Sequence, residues 1–93
     1  MPTSRIRYIV RYTGHVQGVG FRMTAVSQAK GLNVHGFVRN EPDGSVTMDV
    51  EASKADLKEL MRRIGSAMSG RIDGTNIDER PPKDRNGGFR VEH

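Results

Sequence analysis

The residues with the clearest chemical potential stand together in the stretch Gly14-His15-Val16-Gln17-Gly18-Val19-Gly20-Phe21-Arg22. Its three glycines lie between a strand-like and a helix-like run, which allows a bent backbone whose N–H groups gather in one concavity. Such concavities bind anions. Arg22 closes the stretch with a planar fork of donors that matches phosphate or carboxylate, where a lysine would supply only a point charge. The glycine spacing by itself is equally compatible with an ordinary tight turn. Asn40 is the second polar residue of interest, because it follows Val38 on a strand face that otherwise reads apolar. It is either a turn-flanking residue that satisfies local backbone or an amide that orients something at the strand's end.

Other chemistries find little support. Gly18 and Gly20 are followed by Met23 where the dinucleotide pattern G-x-G-x-x-G needs its third glycine, and no Gly-Lys-Ser/Thr occurs for a Walker A loop. The three histidines, His15, His35 and His93, lie far apart and none has a carboxylate at helical spacing, so neither a metal site nor a cofactor is expected. His15 reads as an exposed loop position rather than a base. No serine sits in a nucleophile-elbow context. The absence of cysteine removes disulfides, thiolate nucleophiles and sulfur-bound zinc, and leaves packing to supply stability.

Fifteen Lys+Arg against eleven Asp+Glu give a net charge of +4. The two signs are interleaved along the chain, which reads as a solvated surface that steers a small anionic substrate rather than as a nucleic-acid footprint. Ninety-three residues make one domain, 1–93. No run approaches the roughly 18 apolar residues of a membrane span. Met1-Pro2-Thr3-Ser4-Arg5 leads into a strand without the apolar region of a signal peptide. A cytoplasmic monomer is the expectation.

The elements that must position Arg22 and Asn40 follow from periodicity. Arg5 to Thr13 alternates, with Ile6, Tyr8, Val10 and Tyr12 on one face, and reads as a half-buried strand. Phe21 to Lys30 has helical spacing and ends at Gly31. Val34 to Asn40 and Ser45 to Ala52 alternate on either side of the turn residues Pro42-Asp43-Gly44, which predicts a hairpin. Ser53-Lys54-Ala55-Asp56 resembles a capping box, and Leu57, Leu60, Met61, Ile64 and Met68 continue a helix that ends between Gly65 and Ser69. Arg71 to Asp78 reads as a strand with Ile72 and Ile77 as its apolar residues and a bulge or bend near Gly74. Residues 81–87 read as a polar, mobile loop before a short last strand, Phe89 to Val91. The order βαββαβ plus a C-terminal edge strand predicts a two-layer α+β sandwich of the ferredoxin-like type, an antiparallel sheet with two helices on one face.

The glycine stretch through Arg22, followed by Gly36-Phe37-Val38-Arg39-Asn40 and then Asp43-Gly44-Ser45-Val46, resembles the acylphosphatase family. The strand and helix order resembles that family over nearly the whole chain. The resemblance implies metal-independent hydrolysis of the mixed anhydride of a carboxylic acid and phosphate, an acyl phosphate, to carboxylate and inorganic phosphate. It also implies roles. The backbone amides of Gln17, Gly18, Val19, Gly20, Phe21 and Arg22 wrap the phosphoryl oxygens, the Arg22 side chain binds the same group, and Asn40 holds the attacking water. Inorganic phosphate would be a product and a competitive inhibitor. The sequence departs from the family where Glu51 is followed by Ala52-Ser53 instead of glycine, and from Gly65 onward it matches loosely apart from Gly88-Phe89.

Two other readings belong beside it. The same element order with a basic charge describes small RNA-binding modules, and His35-Gly36-Phe37-Val38 echoes part of their aromatic signature; but Arg39-Asn40 stands where a second stacking aromatic is needed. The other is a non-catalytic acylphosphatase-like domain, or a module of a larger carbamoyl-transferring maturation protein.

Overall fold

The computed structural model describes residues 4–93; Met1, Pro2 and Thr3, with the expectation placed on them, lie outside the described residues. The elements in chain order are β1 (Ile6–Gly14), α1 (Phe21–Gln28), β2 (His35–Asn40), β3 (Val46–Ala52), α2 (Lys54–Ala67), β4 (Ile72–Arg80) and β5 (Phe89–Glu92). They form the expected α+β sandwich, with the sheet in the order β4-β1-β3-β2-β5. Alternation in β1 and β3 sends Val10, Tyr12, Val46, Met48, Val50 and Ala52 to the helix-covered face, where they meet Phe21, Ala25, Leu57, Leu60 and Ile64. α2 starts at Ser53, whose hydroxyl accepts the Asp56 N–H at 3.2 Å, and Asp56 adds a favourable negative charge to the first turn.

The sheet is mixed rather than wholly antiparallel. β4, β1, β3 and β2 pair antiparallel as expected, but β5 joins β2 in parallel, with Phe37 opposite Arg90. The cause is the route of the chain. β4 and β5 occupy opposite edges, so residues 81–88 must cross the sheet to reach β2 and return in its direction. The bulge expected near Gly74 falls where Thr13 pairs with Gly74 and Gly14 pairs with Ile72. Ile72 is half-buried beside it, whereas Ile77 lies 47% exposed and takes no place in the core.

The crossing segment is not the mobile loop that its polar composition suggests. It lies over the face without helices and is fastened by a buried carboxylate. Glu51, fully buried on β3, accepts the Lys83 N–H at 2.7 Å and the Arg85 N–H, and Arg5 Nη1 reaches both Glu51 at 3.4 Å and the Arg85 carbonyl at 2.7 Å. Beside it Asp49 accepts two bonds from the Arg7 fork, at 2.8 and 2.7 Å, and one from Arg85 Nη1 at 2.8 Å. Arg85 and Arg39 flank the Phe37 ring at 5.7 and 5.4 Å. Burial pushes both carboxyls up. The Lys83 and Arg85 amides with the Arg85 and Arg5 charges outweigh it at Glu51, and the Arg7 and Arg85 guanidiniums outweigh it at Asp49, so both lie below their ordinary values.

Two outcomes follow from those depressed values. The folded chain binds fewer protons than the unfolded chain in acid, so the stabilisation is complete above the ordinary carboxyl range and is lost as pH falls through it. Urea unfolding should show stability falling between about pH 5 and 2. Glu51→Gln should lower stability at pH 7 by about 2–4 kcal/mol and make the acid decline shallower, because two amides and Arg5 lose their anion. A variant with the wild-type pH profile would show that the crossing segment is held by something else.

Candidate active site

The loop between β1 and α1 is pinned at both ends by apolar side chains. Val16 is fully buried, and Phe21 is buried with its ring 4.8 Å from that of Tyr12 at 54°. Between these anchors the backbone turns through Gly18 at φ 75° and Gly20 at φ 74°. A Cβ would meet no atom within 4 Å at either position, so conformation and not space calls for glycine there.

Gly20 is the N-cap of α1. It offers no side chain to the helix, and the first turn contains no acidic residue. Its carbonyl accepts the Thr24 N–H at 2.9 Å, which starts the helix, while none of the Gln17 to Arg22 amides finds an acceptor among the described residues. An uncapped helix start preceded by left-handed glycines is a set of open donors of the kind that binds anions.

Arg22 adds a cation that no carboxylate among the described residues neutralises. Eight arginines form ion pairs with carboxylates, and Arg22, Arg71 and Arg90 form none among the described residues. Arg71 and Arg90 are exposed, whereas Arg22 is half-buried. Its Nη1 has only the Glu92 carbonyl at 3.4 Å and His93 Nδ1 at 3.5 Å. A half-buried guanidinium with such long contacts, and no carboxylate partner among the described residues, favours an incoming anion.

Asn40 ends β2, opposite Val46, and lines the same hollow of ≈ 130 Å³ as Val16, Gly18, Gly20, Phe21, Arg22 and Met23. Its amide makes no side-chain hydrogen bond among the described residues. The local backbone is satisfied instead by Asp43, which accepts the Ser45 N–H at 2.9 Å, so Asn40 is not the turn's own cap. Larger hollows of ≈ 240 and ≈ 330 Å³ lie elsewhere and contain neither Arg22 nor Asn40.

Two of the residues expected at the site are placed differently from the others. Val19 packs against the core, and Gln17 does not line the hollow. The Gln17 side chain carries a role that its reading as a backbone donor missed: Nε2 donates to the Glu41 carbonyl at 2.7 Å and the Ser45 carbonyl at 2.9 Å. This fastens the glycine loop to the end of the β2–β3 hairpin, one residue beyond Asn40. The only sequence signal was an amide side chain between a valine and a glycine of a loop. His15 is exposed, as expected, with its N–H on the Arg71 carbonyl at 2.8 Å.

No carboxyl next to Asn40 is tuned to act as a base. Glu41 is held below its ordinary value by the Thr47 hydroxyl, which with Arg39 outweighs burial. Asp43 is held down to about 2 by the Ser45 hydroxyl and amide together with Arg11. Among the described residues no group of three or more His, Cys, Asp or Glu is arranged to hold a metal, and no helix is long and apolar enough to cross a membrane.

Fold and hollow together define a small α+β domain in which open backbone donors, an arginine and a polar amide share one hollow. Comparison with known proteins makes this specific. The model of the acylphosphatase family matches residues 8–91, and the chain belongs to that family. It is similar to the acylphosphatase of Anaeromyxobacter dehalogenans, 35% identical over 94% of this chain and 95% of that protein. The crystal structure of acylphosphatase from Bacillus subtilis shares the fold, with a TM-score of 0.85 at 22% identity over 95% of this chain and 99% of that one. HypF from T. kodakarensis is also similar, with a TM-score of 0.80 at 27% identity, over 94% of this chain but 12% of that one.

The Gln17 contacts make a prediction about the anion site alone. Gln17→Ala should weaken binding of inorganic phosphate, measured by calorimetry, about 3- to 10-fold, because the loop must then be ordered on binding. Gln17→Glu turns a carboxylate towards two carbonyl oxygens and should weaken it further. Wild-type affinity in both variants would remove Gln17 from the site.

Proposed function

We propose that Arg22, the loop amides from Gln17 to Arg22 and Asn40 carry out the acyl-phosphate hydrolysis for which the family is named. The observation that carries this reading is the shared hollow, where, among the described residues, a half-buried Arg22 without a carboxylate partner and unpaired loop amides stand on one side and an unengaged Asn40 amide on the other. The phosphoryl oxygens accept hydrogen bonds from the amides and from the Arg22 fork. Asn40 holds a water in line with the bond from phosphorus to the acyl oxygen.

The water oxygen forms a bond to phosphorus as the phosphorus–acyl oxygen bond breaks, and the electron pair leaves with the carboxylate. The water's proton passes to a phosphoryl oxygen, yielding carboxylate and inorganic phosphate. A carboxylate is a good leaving group and needs no general acid. The depressed Glu41 and Asp43 match a reaction without a protein base. Positioning and stabilisation of charge on the equatorial oxygens supply the acceleration, and the reading needs neither a metal nor a cofactor.

Inorganic phosphate, as product, would compete for the same donors. One chain contains both residues, so the reading treats residues 1–93 as one catalytic domain that works as a monomer, and its location as cytoplasmic. It includes no nucleic-acid partner: on the sheet face without helices Arg7, Arg11, Arg39, Arg80 and Arg85 each already pair with a carboxylate, and residues 81–88 cross that face.

The roles separate in kinetics. With benzoyl phosphate as substrate, Arg22→Lys should lower kcat/KM at least about 100-fold, because a point charge cannot replace the planar fork. Near-normal turnover would place the phosphoryl group elsewhere. Asn40→Ala should lower kcat by about 100-fold while the inhibition constant of phosphate stays within about 3-fold. Equal losses in both quantities would make Asn40 a phosphate ligand and not the holder of water.

A further inference from the structure

We infer that Met23 is the contact for the acyl half of the substrate and that this chain favours acyl phosphates with a bulky apolar acyl group; the inference rests on the placement of the phosphoryl group proposed above. Met23 lines the hollow with Arg22 and Asn40, yet its side chain is 70% exposed. Among the described residues only one other large hydrophobic residue, Ile77, is exposed, and it stands on the edge strand β4.

The core does not ask for methionine at this position. α1 buries Phe21 and Ala25, and Ala29 just beyond it, which turns position 23 outward. A single exposed apolar side chain is ordinary on a protein surface. One at the mouth of a polar hollow is different, because any substrate whose phosphoryl group enters the hollow must leave its acyl group at that mouth. Gly18 and Gly20 offer the acyl group no side chain, while Val16 and Phe21 are committed to the core. Among the described residues Met23 is therefore the accessible apolar side chain of that lining.

Its thioether is flexible and polarisable, and suits aromatic or branched groups of varied shape. A methyl group, as in acetyl phosphate, covers little of it. Contact with the acyl group discriminates between substrates, whereas Arg22 and the amides treat all acyl phosphates alike.

The experiment compares kcat/KM for benzoyl phosphate and acetyl phosphate in the wild type, Met23→Ala, Met23→Gln and Met23→Leu. The ratio of benzoyl to acetyl values should fall about 5- to 20-fold in the alanine and glutamine variants, mainly through KM for benzoyl phosphate, and return to within about 2-fold of wild type with leucine. Glutamine keeps the length and removes the apolar surface, so it separates contact from bulk. An unchanged ratio in the alanine and glutamine variants, or an equal loss on both substrates, would overturn the inference while leaving the roles of Arg22 and Asn40 standing. If the wild type cleaves neither substrate, or Arg22→Lys cleaves both as well as wild type does, the phosphoryl site itself is misplaced and the assignment of Met23 falls with it.

Discussion

An anion cradle is a set of donors that the folded chain must leave unpaired, and that requirement costs stability wherever it is met. In the site proposed above, the donors open among the described residues are the amides of Gln17 to Arg22 and the half-buried guanidinium of Arg22. A loop in that condition would collapse onto its own carbonyls if it were free. It is held open by contacts made outside the cradle: Val16 and Phe21 in the core, the Phe21 ring on Tyr12, and the Gln17 amide on the hairpin carbonyls. The left-handed glycines let the backbone adopt the open shape without a side-chain penalty.

Arginine is used in two opposed ways in this fold. On the sheet face without helices it is consumed: Arg7 and Arg85 share Asp49, Arg5 and two backbone amides share Glu51, and Arg39 bridges Glu41 and Glu92. Those charges tie the segment between β4 and β5 to the sheet and neutralise one another. At the hollow Arg22 has no such partner among the described residues. The net charge of +4 therefore says little about where the site lies, since eight of the eleven arginines are already engaged and, of the three that pair with no carboxylate among the described residues, Arg22 alone is half-buried.

Local patterns made most of the architecture legible. Strict alternation in β1 and β3, the apolar stripe of α2 and the Pro42-Asp43-Gly44 turn each describe a few neighbouring residues, and those elements appear close to where the pattern puts them. What stayed hidden was long-range. Glu51 alternates as a solvent-facing residue of β3, and only the arrival of Lys83 and Arg85 from far along the chain buries it. The parallel direction of β5 follows from that same crossing. At the candidate site, Arg22 and Asn40 stood out by residue type and family resemblance. The Gln17 side chain did not, because its partners are backbone carbonyls, which any sequence supplies.

Topology explains why these distant pieces meet. β1 and β2 both run antiparallel to β3, which lies between them, so they run parallel to each other, and β5 is parallel to β2. All three strands thus finish at the same end of the sheet. β1 delivers the glycine loop there, β2 delivers Asn40, and β5 brings the Glu92 carbonyl and His93 to Arg22. Open α/β sheets bind ligands beyond the carboxyl ends of parallel strands, where connections diverge and leave a crevice. In this fold the crevice between β1 and β2 is as wide as one intervening strand, and the side chain that spans it is Gln17. The contact between loop and hairpin is therefore more than added stability, because it ties the loop that leads to Arg22 directly to the hairpin that carries Asn40, beyond what the pairing of β1 and β2 with β3 already fixes.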